Sequence, residues 1–375
     1  MAAVENALVV GGGISGMSTA IELSRRGIDT ELVEIAEVWK PLGSGITMVA
    51  PAVRALQRLG LLDRCLEHGF GVNELRICDK HGNRLATIPI PRLVGPEYPG
   101  LLGMMRPTLH SDFVAAVEGE GVPVQLGTTV TALEQADDGV HVTLSDGTER
   151  DVDLVVGADG FRSQVRETII GPVTPVFREQ AVYRAVVDRL DEVDASYQFR
   201  GDPLVHPGFT PTSEDRMYVF LPVPAVEDDN PPRDELPRLM REHLAGFEGP
   251  VAQARETIID PDQIDYRLQE TLLVEPPWHR GRVVLIGDAV HTTTPHMAAG
   301  AAIAMEDAIV LAEELASHDS VDDALQAFSD RRFERCRLVV EGSAQLSTWQ
   351  AHPGTPGADP DGLTIGTMTK LAEPF

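Results

Sequence analysis

A glycine-rich turn near the N-terminus constrains the fold more than any other feature of the sequence. Gly11, Gly13 and Gly16 are spaced as Gly-x-Gly-x-x-Gly between a buried-strand pattern at 4–10 and a helical pattern at 17–26. With a second strand predicted at 30–35, the segment forms one βαβ unit. The first glycine permits a tight turn, the second lets a pyrophosphate approach the backbone, and the third lets helix and strand pack closely.

Residues beside the turn support a dinucleotide site. Ile14 and Ser15 lie at the start of the helix, where free N–H groups and the positive end of the helix dipole favour phosphate. Glu34 ends the second strand, where its carboxylate can accept hydrogen bonds from an adenosine ribose. A glycine turn that binds nothing is the alternative, and the strand, the helix and the acid together argue against it. The motif does not separate NAD from FAD.

Two later segments place an aspartate directly after a buried strand. Asp159-Gly160 follows a strand predicted at 149–156, and Gly287-Asp288 follows one at 282–286. Open α/β sheets place ligand-contacting groups at these strand ends, and such an aspartate can accept hydrogen bonds from sugar or ribityl hydroxyls. A cap on the next turn is the alternative interpretation of Asp159.

A change in the sequence pattern along the chain predicts two domains of different architecture. Between 173 and 279, strand patterns at 182–187, 216–221 and 264–271 alternate with proline-rich loops, with a helix at 233–246. This alternation of strands and loops is typical of a mostly antiparallel sheet inserted into a nucleotide-binding domain. We therefore predict an α/β fold with a Rossmann-like domain, an inserted substrate domain and C-terminal helices.

The predicted boundaries follow from these patterns. The nucleotide-binding domain takes 1–72, 98–172 and 280–346, the substrate domain takes a hairpin at 73–97 and the segment 173–279, and 347–375 forms a loop-rich tail. Helices are expected at 52–65, 108–118, 301–317 and 321–346. The tail is rich in Pro, Gly and Thr, a composition typical of loops.

Composition narrows the classes of partner. The net charge of −27 is spread along the chain, which argues against nucleic acid as a partner. The longest apolar stretches have the length of a core strand, so no membrane span is predicted. No secretory leader pattern is present at the start of the sequence, so we expect a cytoplasmic protein.

The cysteines indicate neither a disulfide framework nor a metal site. Cys65, Cys78 and Cys336 are scattered, with no Cys-x-x-Cys spacing and no clustered histidines. We expect buried, inert thiols and no bound metal.

The order of the three motifs resembles that of the class A flavoprotein monooxygenases, the para-hydroxybenzoate hydroxylase-like family. Gly11-x-Gly13-x-x-Gly16, Asp159-Gly160 and Gly287-Asp288 follow one another over nearly the whole chain, to about residue 346. The resemblance implies FAD as the cofactor, with the glycines and Glu34 holding its ADP half.

The resemblance also assigns the rest of the FAD site. Arg106 matches the family arginine that lies along the cofactor, and Asp159 matches a position linked to both FAD and the nicotinamide donor. Asp288 matches the residue that binds the ribityl and pyrophosphate region. Beside the flavin ring lie Pro295 and the backbone of Gly300, Ala301 and Ala302. Here the chain departs from the family, because Ala298, Ala299 and Ala302 stand where the family often has Gly, Gln and Asn.

The implied reaction is an aromatic hydroxylation. NADH or NADPH reduces FAD, O2 then forms a flavin C4a-hydroperoxide, and its distal oxygen attacks a phenolic or heteroaromatic substrate. No second phosphate-binding turn is present, so the nicotinamide cofactor binds transiently in a groove. The substrate, the choice between NADH and NADPH, and a monomer or a homodimer stay open.

Several residues are candidates for contact with the substrate. His291 and His296 are nearest in sequence to the flavin loop and are the candidate bases for a phenolic substrate. On the predicted sheet domain, Tyr183, Arg184, His206 and Tyr218 are candidate pocket residues, although each side chain could equally serve the surface or the core.

Three rival classes remain at this point. A related flavin enzyme could epoxidise an alkene, perform a Baeyer–Villiger oxidation or reduce a double bond. An NAD-dependent dehydrogenase would share only the first turn. A non-enzymatic flavoprotein would bind FAD without ligand-stimulated oxidation of NAD(P)H.

Overall fold

Two large sheets organise the computed structural model, which describes residues 4–39 and 43–375. The strands of the described chain are β1 (Asn6–Val10), β2 (Asp29–Glu34), β3 (Gly45–Met48), β4 (Phe70–Val72), β5 (Glu74–Cys78), β6 (Arg84–Pro89), β7 (Leu101–Met105), β8 (Val124–Leu126), β9 (Val130–Gln135), β10 (Val140–Leu144), β11 (Glu149–Val152), β12 (Leu154–Gly157), β13 (Val176–Asp188), β14 (Ser196–Phe199), β15 (Gly208–Pro211), β16 (Arg216–Pro224), β17 (Ile264–Leu273), β18 (His279–Arg280), β19 (Val283–Leu285) and β20 (His291–Thr292).

The helices divide between the two sheets and the C-terminal region. They are α1 (Ile14–Arg25), α2 (Ala50–Arg58), α3 (Leu62–His68), α4 (Arg106–Gly119), α5 (Gln164–Ile169), α6 (Leu236–His243), α7 (Gly249–Thr257), α8 (Gly300–Ser317), α9 (Val321–Ala351) and α10 (Pro360–Ala372). Short 3-10 turns occupy Arg233–Glu235, Pro261–Gln263, Gly287–Ala289 and Pro295–Met297.

The first sheet carries the three sequence motifs. Its six strands run in the order β18-β19-β12-β1-β2-β8, and every pair except β18 with β19 is parallel. Strands β1, β12 and β19 are adjacent, and their buried residues form one core with α1 and α8. Because the motifs follow these three parallel strands, all three lie at the same edge of the sheet.

The second sheet is antiparallel apart from one pair of strands. Its eight strands run in the order β20-β17-β13-β16-β15-β14-β5-β6, with only β14 and β5 parallel. One face packs against α6 and α7 and forms a second core. The predicted fold class, a Rossmann-like domain with an inserted mostly antiparallel sheet, is confirmed.

Glycines allow the three-stranded sheet β3-β7-β4 to pack closely against the second large sheet. In the three-stranded sheet β3-β7-β4, a Cβ on Gly45 would lie 2.4 Å from Cβ of Tyr218, and one on Gly103 would lie 2.0 Å from the carbonyl oxygen of Pro211. Larger residues at either position would force β3 and β7 away from β15 and β16. The substrate-domain sheet therefore lies directly over the β3–β7 region of the cofactor domain.

Two predicted elements are interrupted in the structure. The helix expected at 52–65 divides into α2 and α3 because Gly60 has a φ of +69°, a conformation that ends the first helix. The strand expected at 149–156 divides at Asp153, whose carboxylate accepts the backbone N–H groups of Glu5 and Asn6. As a result β11 and β12 belong to different sheets.

The prediction of a loop-rich tail at 347–375 is wrong. Helix α9 continues to Ala351, and α10 follows it, with the Asp359 side chain accepting the N–H of Gly362 at the helix start. At the other end, the guanidinium groups of Arg54 and Arg335 donate to the carbonyl oxygen of Leu371. These tertiary contacts hold a helix that the composition of the segment does not indicate.

Candidate FAD site and facing pocket

The β1–α1 turn adopts the geometry that its glycines predict. Gly11 has a φ of +110°, and a Cβ there would lie 2.4 Å from the carbonyl oxygen of Ala158. A Cβ on Gly16 would lie 1.9 Å from the carbonyl oxygen of Gly11, whereas one on Gly13 would meet no protein atom within 4 Å. The first and third glycines therefore allow close packing, and the second leaves open space above the turn.

The start of α1 offers unused hydrogen-bonding groups. Gly13 caps the helix without a side-chain acceptor, so the first N–H groups, including that of Ser15, have no capping side chain. The Ser15 hydroxyl is itself buried without a hydrogen-bond partner. Glu34 accepts the N–H groups of Gly12, at 2.6 Å, and Ala36, at 2.8 Å, which fixes its carboxylate beside the turn.

Asp159 has two roles in the structure. One carboxylate oxygen accepts the N–H groups of Gln164 and Val165 at the start of α5, so the capping interpretation is correct. The other oxygen, Oδ1, is buried without a partner in the described chain. The next residue, Gly160, has a φ of +79° and completes the turn. Asp159 thus retains an acceptor for a ligand while it caps a helix.

The third motif, Gly287-Asp288, contacts the start of α1 in the first motif. Gly287 has a φ of +62°, and a Cβ there would lie 2.6 Å from the Ser15 hydroxyl. A Cβ on Gly11 would likewise lie 3.0 Å from Cα of Asp159. Segments separated by more than a hundred residues in sequence thus converge on one turn.

Asp288 points into a cleft between the two domains. Its side chain is exposed to water although protein surrounds it, and burial raises the pKa of its carboxyl. Across the cleft, burial lowers the pKa of Arg106, and the nearby charge of Arg184 lowers it further. Tyr218 and Asp288 act to raise this pKa. Residues of both domains therefore line one cleft.

The segment after Asp288 forms the loop that leads into α8. Pro295 is exposed, and Ala298 has a φ of +49°, the left-handed conformation that glycine would adopt more easily. Helix α8 then begins at Gly300 without a side-chain cap, so the N–H groups of Ala301 and Ala302 have no capping side chain. A negative ligand group would be favoured at this helix start.

The chemistry of these groups fits FAD. An uncapped helix start and the free Ser15 hydroxyl suit a pyrophosphate, and Glu34 beside the turn suits a ribose. The free oxygen of Asp159 and the Asp288 carboxylate in the cleft suit hydroxyl donors. The uncapped start of α8 suits an electron-rich ring.

His291, a predicted catalytic base, is only 1% exposed and lies among other buried side chains. Its Nε2 lies 2.5 Å from Oδ2 of Asp307, whose other oxygen accepts Nε of Arg332 at 2.8 Å. Burial by itself would lower the pKa of His291, but the neighbouring Cys336 and Asp307 raise it well above the usual value. His291 therefore belongs to a buried ion cluster with Asp307 and Arg332.

This ion cluster supports the third motif. Asp307 Oδ2 also accepts the N–H of Gly287 at 2.9 Å, so the carboxylate holds the turn that carries Asp288. His291, Asp307 and Cys336 offer atoms within 4.8 Å of one another, a spacing compatible with a metal ion. Arg332, however, donates to both the Asp307 carboxylate and the Cys336 sulfur, which supplies the compensating positive charge. The three cysteines are buried and free, as predicted.

Tyr183, a predicted pocket residue, packs on the side of the sheet away from the cleft. Its ring packs against Tyr266, at 4.7 Å between centroids, and against His243 of α6, within the second core. Because side chains alternate along a strand, Arg184 points to the opposite face, where its charge acts on Arg106. Among the candidates on the strands, Arg184 and Tyr218 thus reach the cleft, while His206 lies in the loop before β15.

His296 is fixed by hydrogen bonds at both ring nitrogens. Nε2 lies 3.2 Å from Oε1 of Gln350, and Nδ1 lies 3.0 Å from the Thr294 hydroxyl. Gln350 also donates its amide to the carbonyl oxygen of Leu204. His206 lies near enough for its charge to lower the pKa of His296, which burial lowers to about 4. The two histidines therefore meet where the flavin loop, α9 and the substrate domain join.

Sequence reasoning missed Asp307, Gln350 and Trp39. Asp307 had a detectable signal, since the Glu306-Asp307 pair interrupts the otherwise apolar segment 301–312 of α8. Gln350 lies in the part of α9 that was assigned to the tail. The ring of Trp39 covers Gly12, because a Cβ added to Gly12 would lie 2.5 Å from that ring. No local sequence pattern indicates this contact.

With this geometry established, comparison with known proteins defines the class. The chain belongs to the FAD binding domain family, whose profile matches residues 5–343. It is 34% identical over 353 residues to 2-heptyl-3-hydroxy-4(1H)-quinolone synthase of Pseudomonas aeruginosa, covering 92% of this chain and 90% of that one. It is 32% identical to the FAD-dependent urate hydroxylase of Mycolicibacterium vanbaalenii, covering 89% and 85% of the two chains.

A solved structure is similar to this chain over nearly its whole length. The crystal structure of Klebsiella pneumoniae HpxO complexed with FAD and uric acid superposes with a TM-score of 0.82 at 26% identity, covering 98% of this chain and 93% of that one. The chain is thus an FAD-dependent monooxygenase of the class A aromatic hydroxylase type, as the three motifs predict. No helix in the described part of the chain is long and apolar enough to cross a membrane.

Replacement of Asp288 by alanine is expected to remove most of the bound FAD during purification, because the cleft loses its central acceptor for ligand hydroxyls. Asp288→Asn should retain more FAD, since the amide oxygen still accepts a hydrogen bond. The ratio of flavin to protein absorbance measures both variants against Asp262→Ala, a change on the exposed surface. An unchanged flavin content in Asp288→Ala would contradict the assigned role.

Proposed function

We propose that this chain hydroxylates a phenolic or heteroaromatic small molecule, taking electrons from NADH or NADPH and one oxygen atom from O2. The observation that carries the proposal is the convergence of Gly16, Asp159 and Asp288 on one cleft whose far wall belongs to the substrate-domain sheet. When bound, FAD supplies the electron transfer from the nicotinamide and the activation of O2.

The protein's first task is to hold the cofactor and favour its negative form. In the proposed arrangement α1 contacts the pyrophosphate through uncapped N–H groups, and the uncapped start of α8 at Gly300 lies beside the ring. A helix start stabilises a nearby anion without a charged side chain. This arrangement would compensate for the Gln and Asn side chains that the loop lacks.

The second task is to exclude water. Arg184 and Tyr218 form the wall of the cleft, and Tyr218 is only 6% exposed. Gly45 and Gly103 allow β3 and β7 to close directly against this wall. A closed cleft limits the loss of activated oxygen to water and strengthens electrostatic interactions within it.

The third task is to move a proton from a phenolic substrate, and we assign it to His206 rather than to His296. Both ring nitrogens of His296 already have partners, whereas His206 is held by a backbone hydrogen bond to Asp202. Burial lowers the pKa of His206, so its imidazole is neutral at pH 7 and can accept a proton. His296 then acts as a positioning residue through Gln350.

The NAD(P)H donor and the assembly state are part of the proposal. The single glycine-rich turn leaves no second nucleotide domain, so the donor binds transiently in a groove of the FAD domain. A monomer or a homodimer is compatible with this scheme, and the net charge of −27 disfavours nucleic acid as a partner.

The fixed state of His296 predicts a pH dependence of stability. Burial lowers its pKa from 6.5 to about 4, so between these values the unfolded chain binds a proton that the folded chain excludes. This group therefore favours the folded state above pH 6.5, and its contribution is lost as the pH falls towards 4. Urea unfolding between pH 7 and 4.5 should give a shallower dependence for His296→Gln, and parallel curves would contradict this expectation.

A substrate screen tests the proposed function. Phenols, aromatic acids, pyridines and quinolones are added to the holoenzyme, and oxidation of NADH and of NADPH is followed together with oxygen uptake. At least one aromatic compound should stimulate both and gain one oxygen atom by mass. Turnover without oxygen uptake would indicate a reductase, and turnover of only non-aromatic compounds would contradict the substrate class.

A further inference from the structure

Four buried polar side chains lie between the substrate-domain sheet and α9. Gln180 of β13, Gln269 of β17, and Ser343 and Ser347 of α9 form what we call the amide cluster. Their exposed fractions are 0%, 3%, 0% and 0%, respectively. None of them belongs to the FAD site described above.

Strand register and helix periodicity bring the four together. Ser347 donates its hydroxyl to Oε1 of Gln180 at 2.5 Å, and Ser343 lies one turn earlier on the same face of α9. The register pairs Ala181 with Leu268, which places Gln180 beside Gln269. Since Ala181 and Leu268 face the second core, both glutamines face α9.

Most of the polar atoms in the amide cluster have no partner. Nε2 of Gln180, both amide atoms of Gln269 and the hydroxyl of Ser343 lack a hydrogen bond within the described chain. A buried polar group without a hydrogen bond destabilises the fold, so four such atoms in one place require an explanation. A ligand that donates and accepts hydrogen bonds would satisfy them.

The backbone beside Gln180 is strained. The pairing of β13 with β17 shifts between Phe177 and Ala181, which marks a bulge. Within it Glu179 has a φ of +55°, a conformation that residues other than glycine rarely adopt in a strand. Glu179 also pairs with His352, just beyond α9, at 2.7 Å. Bulges of this kind redirect a side chain and are common next to active sites.

The amide cluster adjoins the flavin loop. Ser343, Ser347 and Gln350 follow one another at helical spacing along a single face of α9, and Gln350 bonds to His296 of the loop. Next to Ser343, a Cβ on Gly342 would lie 3.0 Å from Cε of Met297 in the same loop. One polar stripe therefore leads from the flavin loop to Gln180 and Gln269.

We propose that the amide cluster binds the lactam edge, –C(=O)–NH–, of a heteroaromatic substrate. This assignment rests on the proposed function and selects the heteroaromatic class from it. The Gln269 amide can donate to the lactam carbonyl and accept the lactam N–H as a cyclic pair, while Gln180 offers a second donor. The cluster contains no charged side chain, so it suits a neutral edge.

A carboxylate is the competing occupant. Arg178 lies at the same bulge, donates Nε to Thr271 at 2.7 Å and makes no ion pair among the described residues. Its guanidinium is the group that an aromatic acid would contact. Binding of a lactam should therefore depend on Gln269, whereas binding of a carboxylate should depend on Arg178.

Substrate analogues distinguish these occupants. The holoenzyme is titrated with 2-quinolone, with N-methyl-2-quinolone, which lacks the N–H donor, and with 4-hydroxybenzoate, and the flavin absorbance change reports binding. We expect 2-quinolone to bind about tenfold or more tightly than its N-methyl analogue, since loss of the donor leaves a buried acceptor unpaired. Equal binding of the two quinolones, or tightest binding of 4-hydroxybenzoate that Arg178→Ala abolishes, would overturn the proposal.

The variant Gln269→Leu separates binding from structure. Leucine removes the unpaired polar atoms, so the free holoenzyme should unfold at the same or a higher temperature while the preference for 2-quinolone is lost. Gln253→Leu, on the exposed face of α7, is the matched control and should retain the preference. A destabilised Gln269→Leu that keeps the preference would mean that ordered water satisfies the amide, and would refute the assignment.

The lactam assignment and the proposed function can each fail without the other. If aromatic compounds are hydroxylated without any preference for a lactam edge, the amide cluster assignment fails and the proposed function stands. If no aromatic compound stimulates oxygen uptake although 2-quinolone binds through Gln269, the proposed function fails instead.

Discussion

Gly16→Ala is expected to yield a protein without FAD. The added methyl group would lie 1.9 Å from the carbonyl oxygen of Gly11, so the start of α1 must move away from β1. This movement withdraws the N–H groups that face the pyrophosphate and separates Ser15 from Gly287. The ratio of flavin to protein absorbance after purification measures the loss, and a variant that retains its FAD would contradict the assigned turn.

Gly13→Ala is the matched variant that isolates the ligand. Its added methyl group meets no protein atom within 4 Å, and the φ of Gly13 is −78°, which alanine adopts freely. The FAD-free protein should therefore unfold at the same temperature as the FAD-free wild type while FAD binds more weakly. Gly119→Ala, at the end of α4 with the same open surroundings, should change neither quantity. Unchanged FAD affinity in Gly13→Ala would place the pyrophosphate elsewhere.

Asp307→Ala should cause the largest loss of stability in the chain. The side chain is 0% exposed, and its loss would remove the carboxylate partner of the buried His291 and leave Arg332 with Glu306, 3.0 Å away, as its acidic partner. Breaking a buried ion pair in this way costs about 3–5 kcal/mol. The N–H of Gly287 also loses its acceptor, so FAD affinity should fall with stability.

Urea unfolding of the FAD-free proteins measures this effect. Glu341→Ala serves as the control because it removes an exposed ion pair with Arg337 on α9, which should leave stability nearly unchanged. Asp307→Asn should be intermediate, since the amide can still accept from Gly287. Equal stability of Asp307→Ala and Glu341→Ala would show that the ion cluster does not support the third motif.

Local sequence patterns predict the FAD half of the site because each motif is contiguous and follows a buried parallel strand. The convergence of Gly11, Asp159 and Gly287 is then a consequence of strand adjacency, which the fold class implies. The register of the antiparallel sheet is not encoded in this way. Tyr183 and Arg184 are neighbours in an apolar strand, and only the packing of α6 decides which of them faces the cleft.

Tertiary partners account for the remaining differences. His291 lies close to the third motif in sequence, but its environment is set by Asp307 and Arg332 on two later helices. The helix at Pro360–Ala372 likewise depends on arginines from α2 and α9. Neither relationship has a local signal, because the partners lie far apart in the chain.

We expect this flavoprotein to transfer one oxygen atom from O2 to an aromatic ring. The most direct measurement is turnover under 18O2 with the best compound from the substrate screen, followed by mass spectrometry of the product. The product should carry one 18O atom, and one NADH or NADPH should be consumed for each product formed. A product whose added oxygen comes from water, or one reduced without any added oxygen, would contradict this expectation.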